Sequence, residues 1–324
     1  PLVDSATAKG FDKIIATAQR NPNIQISFDQ FDIALKGNNL ENVNGYVGCD
    51  NIRIYNKPDS LDNARFRLTA LNVNRVHKFI LSSNIANASM ETTYPLHSLP
   101  DSLMNIAYSF FPNLIPAQSH HVNSKQNLAK NTVDYLKIHI NTYHSRNLLN
   151  LIQPDLYIAP NSTVDIVLSS DTVPNTVEVH IPRGGFRHKL SIHNFNIDGK
   201  TVDNSILQLD VQTDSAIAIM NDNKFSFNKI SINTQTKQNV ILYKLNWHND
   251  FNTDPMHNSL IAGMIDASDP DDILINLRKS LIYLKDNAWT FNEDNAIHIQ
   301  DKVLTFNNLQ FKNQGSEIAL NGTY

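Results

Sequence analysis

Apolar residues recur two apart along most of the chain. Ile24, Ile26 and Phe28 are followed by Phe31, Ile33 and Leu35, then by Ile52/Ile54, Phe66/Leu68, Leu71/Val73 and Phe79/Leu81. After Ser162 the pattern resumes with Val164/Ile166/Leu168, Val177/Val179/Ile181, Leu190/Ile192, Leu207/Leu209/Val211 and Ile217/Ile219. It runs on through Ile273/Ile275/Leu277, Ile297/Ile299, Leu304/Phe306, Leu309/Phe311 and Ile318/Leu320. Polar residues fill the gaps, the period-two signature of strands with one buried face.

In five places the alternation skips two residues and restarts: SFDQFDI, RLTALNV, SIHNFNI, SFNKISI and TFNNLQF. In a straight strand a spacing of three would send the second pair to the opposite face. A two-residue hairpin repairs the phase, because positions i and i+3 then face each other on one side. A bulge or sharp corner repairs it too. Asn-Asn and Asn-Lys accept positive φ, whereas Thr-Ala suits it badly. Either way the pattern predicts a long antiparallel meander with one apolar face.

Three stretches depart from alternation. DSATAKGFDKIIATAQR sets Phe11, Ile14, Ile15 and Ala18 on one helical face, and predicts a short leading helix. SLPDSLMNIAYSFFPNL places Leu99, Leu103, Ile106, Ala107, Phe110 and Leu114 on a helical stripe. Ser98 and Asp101 there have capping-box spacing, and Pro112 follows as a stop. AQSHHVNSKQNLAKN reads as a polar loop, TVDYLKIHINTYH as a strand, and SRNLLNLIQP as a second short helix stopped by Pro154. The organisation expected is a β segment over 1–96 with its leading helix, a helix–loop–strand–helix insertion over 97–153, and a second β segment over 154–324. No fixed-length repeat is visible.

The 324 residues carry 41% hydrophobic and 18% charged side chains, enough for a substantial core. The formal net charge of -4, with no basic patch, argues against a nucleic-acid partner. Cys49 is the one cysteine, so a disulfide framework within the chain and a cysteine-based zinc site are both excluded. No apolar run reaches the roughly 18 residues of a membrane span. The chain opens on PLVDS and stops within a strand pattern, and is read as an excised piece of a longer protein.

Motifs for catalysis are sparse. The 12 histidines include His120-His121, His139, His144, His180, His188 and His193, without zinc spacing, and read as ordinary surface histidines. DASDPDD, Asp266 to Asp272, lacks the glycine and terminal glutamate of an EF-hand loop, and reads as a solvated turn. SFNK at Ser226–Lys229 matches S-x-x-K without a partner motif. NAS, NST and NGT fit the glycosylation sequon, as chance matches do in an Asn-rich chain. No cofactor, metal or catalytic residue is expected, and the chain is read as not an enzyme.

A one-faced apolar sheet packs on a second sheet, winds into a solenoid, or curls into a groove that holds something apolar. One lipid tail, at about 0.8 kcal/mol per CH₂, supplies roughly 10 kcal/mol, as much as several core side chains. The closing DNAWTFNEDNAIHIQDKVLTFNNLQFKNQGSEIALNGTY resembles Bacteroidota members of the TamB family, within the AsmA-like repeating β-groove proteins. So do LYKLNWHNDF with SLIAGMID, FDIALKGNNLENVNGYVGCDNIRIY, SLPDSLMNIAYSFFPNLIP and RNLLNLIQPDLYIAPNSTVDIVL. The likeness extends over essentially the whole chain, in strand style rather than catalytic motif.

The resemblance implies a β-taco: an elongated, curved, largely antiparallel open sheet with an apolar inner groove and a few short helices. It implies a periplasmic protein anchored in the inner membrane, carrying phospholipid between membranes or assisting outer-membrane protein assembly. The partners implied are phospholipid acyl chains, an Omp85-type outer-membrane protein and outer-membrane protein clients. Expected groove-lining residues are Ile24, Ile26, Phe28, Phe31, Ile33, Leu35, Phe66, Leu68, Leu71, Val73, Ile192, Phe195, Phe225, Phe227, Ile230, Ile232, Leu304, Phe306, Leu309, Phe311, Ile318 and Leu320. The helix over 98–111 is expected either to plug or gate the groove or to cover an open sheet edge. The alternative is an extracellular structural or ligand-binding β-sandwich or solenoid protein.

Overall fold

The computed structural model describes residues 24–324 apart from 57–58, 114–133, 154, 171–173, 188, 203–205, 221–222, 250–256 and 285. The leading helix expected over 4–20, the polar loop at 117–131 with His120 and His121, and His188 lie outside these residues. The fold is mostly β, with 21 strands and two short α-helices among the described residues. The chain divides into two compact units: 1–98, 133–170 and 179–188 form the first, and 99–132, 171–178 and 189–324 the second.

In the first unit the strands are β1 (Ile24–Ser27), β2 (Gln30–Lys36), β3 (Asn44–Asn56), β4 (Asp59–Val73), β5 (Val76–Ser83) and β6 (Ala86–Thr92). They continue with β7 (Tyr135–Thr142), β8 (Leu156–Ile158), β9 (Thr163–Ser169) and the part of β10 (Thr176–Phe186) from Val179 onward. β3 takes β1 and β2 end to end along one edge and β4 along the other. The ladder then runs β4–β5–β6–β7–β9, antiparallel throughout, while β8 pairs with β10.

The second unit is an antiparallel meander of β11 (Leu190–Val202), β12 (Ile206–Met220), β13 (Asn223–Lys237), β14 (Val240–Asn249) and β15 (Asn258–Asp269). There it splits: β15 is met by β16 (Asp272–Leu277) and β17 (Leu281–Leu284). These pair with β19 (Ala296–Gln300) and β18 (Asn287–Phe291), and both of those rejoin on the single strand β20 (Val303–Asn313). β21 (Ser316–Thr323) follows.

Local chemistry places the reversals. Asn74-Arg75, Gln238-Asn239 and Asp301-Lys302 each have two consecutive positive φ values, the type I′ geometry that suits a twisted hairpin. They close the pairs Val73↔Val76, Lys237↔Val240 and Gln300↔Val303. Of the two ways to restore the phase, no skip uses the two-residue hairpin, and β13 and β20 use the bulge. β11, β13 and β20 run straight through SIHNFNI, SFNKISI and TFNNLQF, with one positive φ each, at Asn194, Lys229 and Asn308. SFDQFDI breaks into β1 and β2.

RLTALNV is the exception: β4 passes through it without a bulge. Leu71 and Val73 therefore point away from Phe66 and Leu68, and their place among the groove-lining residues is corrected. Ala70 would have to carry the positive φ, which a Cβ-bearing residue without a local hydrogen-bonding side chain resists.

The helices α1 (Leu99–Phe110) and α2 (Arg146–Ile152) occur where the 3.6 period and Pro154 put them. Leu148 of α2 packs on Leu61, Ala64 and Ile85, with Ile52 and Ile54 beside them, and so covers one end of the apolar face of the first unit. In α1 Phe110 is buried and its carbonyl accepts the Asn239 N–H. Asn113 donates its backbone N–H to Asn239 Oδ1 at 3.0 Å. The end of α1 is thus tied to the β13–β14 turn of its own unit.

Candidate functional site

Register carries apolar side chains from strand to strand. In the first unit Ile33, Val47, Leu68, Leu81, Ala88, Ile140 and Val164 form one row across seven strands, each directly opposite the next. Beside it runs Leu35, Gly45, Ala70, Phe79, Met90, Ile138 and Ile166. In the second unit Ile197, Val211, Ile232, Leu245 and Ile261 form a row. Another joins Leu207, Thr236, Ile241, Ile265, Ile275, Ile297 and Phe306.

The opposite face is more polar, as in the row Asp198, Asp210, Asn233 and Lys244, though Leu71, Val73, Leu242 and Met264 also lie on it. A one-residue slip would exchange the two faces, so the pattern pins the register.

The bulges preserve this face. Phe227 and Ile232 lie on either side of Lys229, yet they pair with Asn249 and Leu245, which alternate regularly on β14. Phe306, Leu309 and Phe311 likewise pair with Gly322, Leu320 and Ile318 of β21. One extra residue in the strand absorbs the three-residue spacing and bends the strand locally.

The bulges and breaks also line up across neighbouring strands, forming a crease. In the first unit it passes through Asp29, Asn51 and Asn63 to Asn84. Asn51 Nδ2 donates to Asp29 Oδ2 at 2.9 Å, Asn84 Nδ2 donates to the Asn63 carbonyl, and Asn84 Oδ1 accepts the Arg65 N–H. In the second it passes through Ser280, Asn295 and Asn308. Asn295 Oδ1 accepts the Leu277 N–H at 2.9 Å while its Nδ2 donates to the Leu277 carbonyl at 2.8 Å, so the side chain stands in for a strand. Asn292 does the same for Gln310 and Asn308. Ser280 Oγ accepts from Ala262 N–H, and Ser259 Oγ from Tyr283 N–H.

Burial is shared between apolar and polar side chains: Leu136, Leu309, Phe110 and Leu61 are buried, and so are many small polar residues. Thr92 and Ser259 are fully buried at 0% exposure, and Thr201, Thr236, Asn239, Asn249, Ser280 and Asn295 are buried with them. Large apolar side chains of the rows remain accessible: Ile33 and Leu68 are each 40% exposed. Thr92, Thr201, Asn239, Asn249, Ser259, Ser280 and Asn295 are hydrogen-bonded, which offsets their desolvation. The buried Oδ1 of Asn141, by contrast, has no hydrogen-bond partner among the described residues.

Of the expected lining residues, Phe31, Ile33, Leu35, Phe66 and Leu68 share the apolar face of the first unit, with Ile26 opposite Ile54. Phe28 sits at the break between β1 and β2, its ring 6.1 Å from that of Phe31. The side chain of Ile24 lies outside the described residues. In the second unit Ile192 pairs with Ala216 and through it with Phe227, Phe225 with Ala218, and Ile230 with Thr213. Phe195 alternates with Ile197, and Leu304 pairs with Ile299. These join Ile232, Phe306, Leu309, Phe311, Ile318 and Leu320 on one face. Sequence reasoning missed the Asn, Ser and Thr of the crease, whose signal was the polar pair inside each phase skip.

The polar clusters are accounted for by local structure. His139 Nδ1 lies 2.6 Å from Asp165 Oδ1 across the β7–β9 pair, and His298 Nδ1 lies 3.0 Å from Asp272. In DASDPDD, Ser268 donates to Asp266 and holds its carboxyl below the usual range, while Asp271 N–H donates to Asp269. Burial, helped by Asp50, pushes the Cys49 thiol up, away from the reactive thiolate form. Among the described residues no three His, Cys, Asp or Glu side chains gather in metal-binding geometry, and no helix is long and apolar enough to cross a membrane. No family model, curated protein or solved structure matches the chain.

Proposed function

We propose that the apolar faces hold the acyl chains of phospholipid, and that the protein works without catalysis as a β-groove carrier of TamB type. In this reading it belongs to a longer periplasmic protein anchored in the inner membrane. It passes lipid toward an Omp85-type outer-membrane partner, or assists outer-membrane protein clients there. The observation that carries the reading is the set of largely apolar rows in which large side chains such as Ile33 and Leu68 stay accessible. A contiguous exposed apolar surface marks a binding face. A tail laid along it gains roughly 10 kcal/mol from about 0.8 kcal/mol per CH₂.

The test is solvent extraction and lipid mass spectrometry of the purified protein. Stoichiometric phospholipid is expected, reduced several-fold in Ile33→Asp and Phe306→Asp with strand circular dichroism retained, and unchanged in Lys244→Asp on the opposite face. Absence of phospholipid from the wild type, or equal lipid in all three variants, refutes the reading.

A further inference from the structure

The turn joining β2 to β3 is pinned by one carboxylate. Glu41 Oε1 accepts the backbone N–H and the Nδ1–H of His97, both at 3.1 Å. Glu41 Oε2 lies 3.1 Å from Nε2 of His77, a buried residue of β5. The other ring nitrogen of His77, Nδ1, lies 2.6 Å from Asn72 Oδ1 of β4. The Asn72 amide is oriented by its own Nδ2, which donates to the Val43 carbonyl. Its Oδ1 can therefore only accept.

Both ring nitrogens of His77 thus face acceptor oxygens. A neutral imidazole has one N–H and cannot serve both, whereas an imidazolium has two. The charged groups around the ring come from few elements. Glu41 reaches it from the β2–β3 turn, and His97 stands behind Glu41 on the 3-10 turn at Leu96–Ser98. Arg75 of the β4–β5 turn lines the same cleft and lies 3.7 Å from Asp134. β6 presents the uncharged, buried Thr92 opposite His77. Glu41 is the anion in contact with the ring.

The turn itself is a rigid knot. Asn42 Oδ1 accepts the N–H groups of Asn38 and Asn39 at 2.9 and 3.2 Å, and Asn42 Nδ2 donates to Asn38 Oδ1 at 2.7 Å.

We propose that His77, Glu41 and Asn72 form a proton-dependent clasp on this turn. With two protons on the His77 ring, the turn is fastened to β4, β5 and the 3-10 turn. With one proton removed, the remaining N–H stays on Nε2 toward the carboxylate. The Nδ1 lone pair then faces Asn72 Oδ1 at 2.6 Å in a buried site, and Asn72, which holds the Val43 carbonyl, lets go of the turn. β2 pairs only with β3 among the described residues, so its Leu35 end loosens with the turn. The clasp stands on its own geometry, whether or not the apolar face carries lipid.

The test follows the whole chain from pH 5.5 to 9 by nitrogen NMR of the His77 ring and by hydrogen exchange of amides 37–44, corrected for the intrinsic pH dependence. Both ring nitrogens are expected to be protonated at the acid end. As the ring loses a proton, exchange in the turn should rise about tenfold, the scale of one hydrogen bond to a charged group. His77→Gln, which has no proton to lose, should show no step, and Lys78→Ala, on the other face of β5, should keep it. A singly protonated ring at pH 5.5, or a step of equal size in His77→Gln, overturns the proposal.

Discussion

Asn295→Ala is the sharpest probe of the crease. The substitution removes three side-chain hydrogen bonds: one from Leu277 N–H at 2.9 Å, one to the Leu277 carbonyl at 2.8 Å and one to the Asn292 carbonyl at 2.5 Å. Asn295 is buried, so the groups left behind are largely out of reach of bulk water. Each orphaned backbone group costs about 1–3 kcal/mol when dry. Leu277 is half-buried, so the lower end applies and the sum is about 2–4 kcal/mol.

Urea denaturation followed by the fluorescence of Trp247 and Trp289 reads it as a lower midpoint at unchanged slope. Asn233→Ala, an exposed asparagine whose Nδ2 donates to Asp210, is the control and should cost under about 0.5 kcal/mol. A loss below about 1 kcal/mol for Asn295→Ala, or one equal to the control, would refute the idea that side chains replace strand pairing at the crease.

Two further outcomes are expected. A Cβ on Gly263 would come within 2.3 Å of the Asn276 backbone oxygen and 2.5 Å of the Tyr243 hydroxyl, so Gly263→Ala should cost about 1–3 kcal/mol by the same assay. Glu41 has its pKa lowered: partial burial pushes it up, but the side-chain and backbone donors of His97 and the nearby His77 outweigh that. A carboxyl lowered on folding stabilises above its unfolded pKa and loses that contribution as pH falls through its folded pKa. The stability gap between wild type and Glu41→Gln should therefore be largest near neutral pH and close in acid, and a gap that widened below pH 4 would contradict this.

Much of the sheet could be read from residue types alone, because alternation reports one-sided burial directly. The phase skips were legible as to face but not as to mechanism. Lys229 and Asn308 each bear the single positive φ of a bulge, while hairpins take two in succession, as at Asn74-Arg75. The poor fit of Thr69-Ala70 to positive φ was the clue that β4 would run straight and send Leu71 and Val73 outward. What residue types could not convey is which asparagine meets which backbone. Asn295 and Leu277 are 18 residues apart, and their pairing depends on β16 and β19 being neighbours, a matter of topology. The buried Ser259 and Thr92 were hidden for the same reason.

The crease also decides how such a chain can drift in length over evolution. A residue gained or lost in the middle of an ordinary strand inverts every side chain beyond it, and with the sides exchanged the strand no longer matches its neighbours. At Asn308 or Lys229 the count is already uneven, three residues against two on the adjoining strand, so the alternation restarts there anyway. Indels should therefore collect at these polar pairs, and strands can lengthen or shorten on one side of the line without disturbing the other. A sheet built this way can change its width while keeping its two sides distinct.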